Sequence, residues 1–209
     1  MELTENTTYS ESSSPLKGRS WYDWLFAALL LVGALFALSR YGEFMDVYEK
    51  AILLAAVPTF AGLGWYWKSA RTLFLLIAAL SLYGIYLYGG NLDAAQNRFF
   101  LKYMLSSQSA ILWMSTLFFL STLFYWGGLI ARSPFGGSVG SKLCWAAILL
   151  GFTGMMVRWY ESYLLGTDIG HIPVSNLYEV FILFCLITSL FLVFYEQKYQ
   201  THEIGRAHV

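Results

Sequence analysis

The sequence predicts an all-α, polytopic membrane protein, a bundle of about six transmembrane helices, and three observations carry that prediction. The first is composition: of 209 residues 57% are hydrophobic, 19% aromatic and 12% charged, where a soluble domain carries about 25% charged residues. The second is spacing, because the charges fall so as to leave six long apolar runs of the kind a membrane helix requires. The third is continuity: the runs are unbroken rather than alternating, which excludes a membrane β-barrel. The 13 basic and 13 acidic side chains cancel, so the chain lacks the basic balance of a nucleic-acid binder. Cys144 and Cys185 lie inside apolar runs with no metal-binding or haem-attachment spacing around them, and read as small buried hydrophobes.

Residues 1–20 form a polar tail rich in Ser, Thr and Glu, too polar to insert and preceding the first run, so that run is not a cleaved signal peptide. The membrane domain covers residues 21–196. Its charge-free runs are Trp24–Ser39, Ala51–Trp67, Thr72–Leu92, Tyr103–Ala131, Leu143–Val157 and Val180–Tyr195. Several are short, and the flanking Asp23, Arg40, Lys50, Lys68, Arg158, Glu179 and Glu196 are expected to reach headgroup level with their stems along apolar surface. Between the third and fourth helices, Asn91–Ser106 is too polar to span. Leu92, Ala95, Phe99, Phe100 and Met104 could there line a helix lying in the interface, and an ordinary solvated loop is the alternative. Residues 197–209 are a second tail.

Lys and Arg counts set the orientation. The side bearing the N-terminus has Lys17, Arg19, Lys68, Arg71, Arg132, Lys142, Lys198 and Arg206, eight against five on the other (Arg40, Lys50, Arg98, Lys102, Arg158), where most loop acids also lie, among them Glu161 and Asp168. The N-terminus is therefore expected to be cytoplasmic. Gly33 with Ala37, and Gly62, Gly64, Gly127, Gly128, Gly151 and Gly154, mark expected close helix contacts. Trp21, Trp65, Trp67 and Trp159 read as an interfacial aromatic belt.

The stretch from Arg158 to Glu179 is denser in polar and special residues than any other. It comprises the end of the fifth helix, a loop of about a dozen residues and the start of the sixth helix. Gly166 and Gly170 permit turns, Pro173 blocks helix, Ser175 or Asn176 can cap the sixth helix, and Asn176 with Glu179 has capping-box spacing. A carboxylate in a first turn is also favoured by the helix dipole. Helix capping leaves Arg158, His171 and Tyr178 without a role. Arg158 and Glu179 fall at the same membrane face and are expected to pair or to bond the loop backbone.

The string Arg158-Trp159, followed by Gly170-His171-x-Pro173-x-Ser175-Asn176-Leu177-Tyr178-Glu179, resembles the CcsA (ResC) family of System II cytochrome c biogenesis, also named CcsB in proteobacteria. The resemblance implies the N-terminal half of a protein that carries haem across the inner membrane of a bacterium, and so a place in that membrane. With a ResB-type membrane subunit it would present haem to apocytochrome c for thioether attachment, as part of a cytochrome c haem lyase complex. The family's Trp-rich haem segment ending in Trp-Asp, with its flanking histidines, is not in these residues, and Trp65-Tyr66-Trp67 is followed by Lys68. The final heptapeptide Glu203–Val209 looks like translated sequencing adapter, which implies an authentic sequence ending near His202. His208 and Arg206 would then carry no meaning.

A membrane haem held by two imidazoles needs histidines that can meet across the iron. His171 and His202 are expected on opposite faces of the bilayer, so the chain alone should neither hold haem stably nor attach it. For His171 the readings are a structural loop role, a role shaping a haem site, or, least favoured, ligation. A non-catalytic membrane scaffold and a secondary transporter are the competing functions. Against the transporter, Asp23 and Glu179 sit at helix ends and only Ser and Thr lie deep in the runs. Alkaline phosphatase fused after Gly170 should be active and a cytoplasmic reporter at the same point silent, which a paired-fusion assay reads directly.

Overall fold

The computed structural model describes residues 18–43, 45–166 and 170–199. Among them it is all-α, with no strand, and has six helices long and apolar enough to cross a membrane. The chain is a multi-pass membrane protein. Residues 1–17 and 200–209 of the two tails, including Lys17, His202, Arg206, His208 and the adapter-like heptapeptide, lie outside the described residues, as does Asp168, while residues 197–199 belong to the last helix rather than to a tail.

Residues up to Thr72 form one compact unit. Helix α1 (Trp21–Tyr41) starts where the Ser20 N–H donates to Asp23 Oδ2 at 2.9 Å. Helix α2 (Val47–Tyr66) carries a reciprocal cap, Glu49 N–H to Asp46 Oδ1 at 2.7 Å and Asp46 N–H to Glu49 Oε2 at 3.1 Å, which satisfies two otherwise orphaned donors. The two helices touch where Phe26 lies on Gly64, since a Cβ at that glycine would overlap the ring. At the same end, Arg71 Nη1 meets Asp23 Oδ1 at 2.5 Å and the Trp65 indole N–H donates to the Asp23 carbonyl at 2.9 Å. Helix α3 (Lys68–Tyr88) follows after Trp67 alone, so the break falls at one extended residue rather than across the charged residues Lys68 to Arg71. Asp23 is buried, a correction to its expected place among the headgroups: a carboxylate with an arginine and a backbone N–H within reach need not seek water.

The second unit runs from Leu73 onward. After the body of α3 come the short α4 (Ala94–Asn97) and a π-helical turn at Leu101–Leu105. Neither expected form of this segment is what forms. Arg98 is extended and breaks the helix, the π turn buries Leu101 and Leu105 against Leu87, Tyr88 and Val157, and Phe99, Phe100 and Met104 remain exposed. Leu92 and Ala95 do pack on that core.

Helices α5 (Ser107–Ile130) and α6 (Pro134–Leu165) make a hairpin whose backbones meet near its turn. A Cβ at Gly128 would overlap the backbone at Gly136 and Gly137, and Ser121 Oγ donates to the Gly140 carbonyl at 2.7 Å. Gly151 and Gly154 are closed by side chains in the same way, whereas Gly33, Gly62 and Gly127 face open space and make no such contact. Pro134 opens α6, where its fixed φ suits the first helical position. The helix runs 32 residues, about 48 Å at 1.5 Å per residue, and so continues two turns past Arg158. Helix α7 (Leu177–Tyr199) packs on α6 through Ile182 and Leu186. Cys144 is buried, but Cys185 is exposed on α7 because it lies on the face turned from that core, and both are free thiols.

The glycine contacts predict unequal tolerance to size. Gly136→Leu should destabilise by about 1–3 kcal/mol or more through overpacking. Gly127→Leu should stay within about 0.5 kcal/mol, both read from thermal unfolding in detergent.

Candidate functional site at the α6–α7 junction

Because α6 continues past Arg158, the residues after it acquire helical periodicity. Arg158, Glu161 and Ser162 then lie on neighbouring turns of one face. Arg158 Nε lies 3.4 Å from Glu179 Oε1 on α7, and its Nη1 lies 4.0 Å from Glu161 Oε2. The expected pairing of Arg158 with Glu179 is present, and so is the expected bond to loop backbone: Glu179 Oε2 accepts from the Ser175 N–H at 3.1 Å. Asn176 is the cap, its Oδ1 accepting from the Glu179 N–H at 2.9 Å. Glu179 reaches one residue further back than a standard capping box, to Ser175 rather than Asn176. It is buried, not at headgroup level.

The loop is tied to α6 as well. Ser162 Oγ lies 3.2 Å from both the His171 N–H and the His171 carbonyl, and donates to the Trp159 carbonyl at 2.7 Å. His171 Nε2 stands 3.9 Å from Glu179 Oε1. Gly170 admits no side chain, because a Cβ there would overlap the Tyr163 ring. Ser175 Oγ closes the turn on the Ile172 carbonyl at 2.8 Å. Arg158, His171, Ser175, Asn176 and Glu179 thus converge. Trp159 stays at the surface, where its side chain makes no part of the cluster, while Pro173 and the exposed Tyr178 line a cleft beside it.

The principal residue absent from the sequence reading is Glu161. Counted with the loop acids, it is instead helical and buried. Its Oε1 accepts from the Tyr88 hydroxyl at 2.5 Å and the Ser107 N–H at 3.0 Å, and its Oε2 from Ser107 Oγ at 2.5 Å. One carboxylate therefore joins α3, α5 and α6. The Arg158-x-x-Glu161 spacing was the available signal, and only the assumption that α6 ends near Arg158 concealed it.

The electrostatics balance without any guest. Helices α5 and α7 both begin here, and each N-terminus is equivalent to roughly +0.5 charge. Two such termini and one arginine offset the carboxylates of Glu161 and Glu179. The cleft beside the cluster measures about 230 Å³, below the roughly 300–1,000 Å³ of pockets that enclose drug-sized ligands. His171 faces Glu179 and is not among the residues lining that cleft. Among the described residues no group of three His, Cys, Asp or Glu side chains is placed to hold a metal ion.

Removing Glu161 should be among the costliest single changes in this unit. Glu161→Ala leaves Arg158 half-paired and the Ser107 and Tyr88 donors unmet, an expected loss of about 3–5 kcal/mol. Tyr88→Phe removes one bond to a charged acceptor, about 1.5–3 kcal/mol. Thermal unfolding of the purified variants checks both the size and the order. In comparisons with known proteins, no family model, curated protein or solved structure matches this chain.

Proposed function

We propose that the chain is a membrane component of cytochrome c biogenesis, acting in the delivery of haem to apocytochrome c alongside a ResB-type subunit. The observation that supports this reading is the convergence of Arg158, His171, Ser175, Asn176 and Glu179, residues of one motif-like string, on a single junction. Helix capping alone explains Asn176 and Glu179. It does not call for an arginine two turns inside the preceding helix, nor for a loop histidine beside the same carboxylate.

In this reading haem is cargo rather than a resident of the described residues. His171 serves as a loop-shaping residue, held by Ser162 and facing Glu179, and not as an axial ligand. Arg158 and Glu179 fix the loop to α6 and α7, so that whatever the loop meets on its side of the membrane meets a fixed surface. That side is extracytoplasmic in the proposed orientation, with the N-terminus in the cytoplasm of a bacterial cell.

Deletion of the gene should abolish covalently bound haem on c-type cytochromes, scored on haem-stained gels, and the wild-type gene should restore it. Arg158→Glu and Glu179→Arg should each fail to restore it, and the double swap should restore it in part. Normal cytochrome c maturation in the deletion strain would remove the proposal, whereas a deletion phenotype with fully active single swaps would remove only the role of the junction.

A further inference from the structure

The cleft between α5 and α7, over α6, is lined in part by the junction's own residues Ser107, Arg158, Asn176 and Glu179. Its apolar wall is Ile111, Met155 and Ile182, and its polar rim includes Gln108, Arg158 and Tyr178. It is closed at depth: at Gly151, Met114 of α5 and Leu186 of α7 meet over α6, and a Cβ there would overlap both. From Arg158 to Met155 is one turn, about 5 Å of helix rise, so the cavity of about 230 Å³ admits a head and a few carbons rather than a whole ligand.

The cluster buries its anions and presents its cation. The side chains of Glu161 and Glu179 are 9% and 5% exposed, while that of Arg158 is 37% exposed. Glu161 directs its oxygens to Tyr88 and Ser107, and Glu179 to Arg158 and Ser175. Arg158 turns Nε and Nη1 to these carboxylates, and a guanidinium has five N–H donors. A guest entering the cleft meets the exposed edge of the Arg158 guanidinium at one end, with Glu179 already bonded to Arg158 and Ser175, and hydrocarbon at the other.

We propose that this cleft binds the head of an anionic amphiphile, a carboxylate or phosphate on an apolar body. The head bonds Arg158 and the body lies along Ile111, Met155 and Ile182. Two sources carry that chemistry, an anionic membrane lipid and the propionate arm of a porphyrin. The lipid source satisfies the proposal whether or not the chain handles haem.

The purified 209-residue chain in neutral detergent is titrated with phosphatidylglycerol and with phosphatidylcholine, bound lipid being counted by native mass spectrometry. A parallel titration uses protoporphyrin IX, a dicarboxylate, and its dimethyl ester. Preference for the anionic member of either pair by at least about tenfold, the worth of one charge-assisted hydrogen bond, is the expected result, and the pair that shows it identifies the source. Arg158→Gln should erase the preference. Because that change strands two carboxylates and can unfold the chain, Ile111→Trp supplies the second test. It fills the cleft from a half-buried position on α5 while leaving the ion pairs intact, and it should abolish binding in a chain that still unfolds cooperatively well above the assay temperature. Equal affinity within both pairs, or a preference that survives Ile111→Trp, would overturn the proposal.

Discussion

Arg158 stands between two buried carboxylates, and the second unit of the chain is organised around that placement. Glu161 sits at the start of α5 and Glu179 at the start of α7, so each anion answers a helix terminus as well as the guanidinium. Removing a carboxylate from water costs several kcal/mol unless the lost hydration is replaced. Here every oxygen of both side chains has a donor within reach. Tyr88 and the Ser107 hydroxyl and N–H complete Glu161, and the Ser175 N–H completes Glu179. Four helices and one loop are thereby fixed by two side chains, and Arg158 cannot be lost without leaving charge unpaired in a poorly solvated place.

Buried carboxylates serve the same purpose at other helix ends. Glu196 on α7 accepts from the Tyr125 hydroxyl of α5 at 2.7 Å and from Ser141 Oγ of α6 at 2.8 Å. In the first unit Asp23 accepts from Arg71 and from the Ser20 N–H. Lipid tails are as apolar as leucine, so burying side chains against one another gives membrane helices little net drive to associate. Close glycine contacts, as at Gly128 with Gly136, supply dispersion, and the carboxylates supply direction. A hydroxyl or N–H aimed at one oxygen sets both the rotation and the height of a helix, which apolar packing alone leaves loosely specified.

The helices were legible because charge spacing survives without any tertiary information, and Asn176 and Glu179 because capping is local. Arg158 with Glu179 was legible as a pair since both bound the same loop. Glu161 was not, because a charge-free run ends at Val157 and a polar helical extension beyond it has no hydropathy signal. Leu101 and Leu105 were missed for a related reason: the π turn places them on one inward face that no ordinary helical period would select. Cys185 shows the converse limit. An apolar run reveals that a residue is in the membrane but not whether it faces protein or lipid, which depends on neighbours far away in sequence.

What the junction can do follows from which of its groups are spent. Ser162, Ser175 and Asn176 bond backbone, the His171 backbone is held by Ser162, and both carboxylates are buried, so these residues set position. Functional groups need support of this kind, since a side chain held by a loose shell misses its target by more than chemistry tolerates. Arg158 is the cation of the set, fixed on one edge by the carboxylates and partly exposed on the other. A cation anchored by buried anions cannot turn away from its cleft without stranding them. The same ion pairs that hold the helices together therefore also fix the direction in which the free edge of the guanidinium faces.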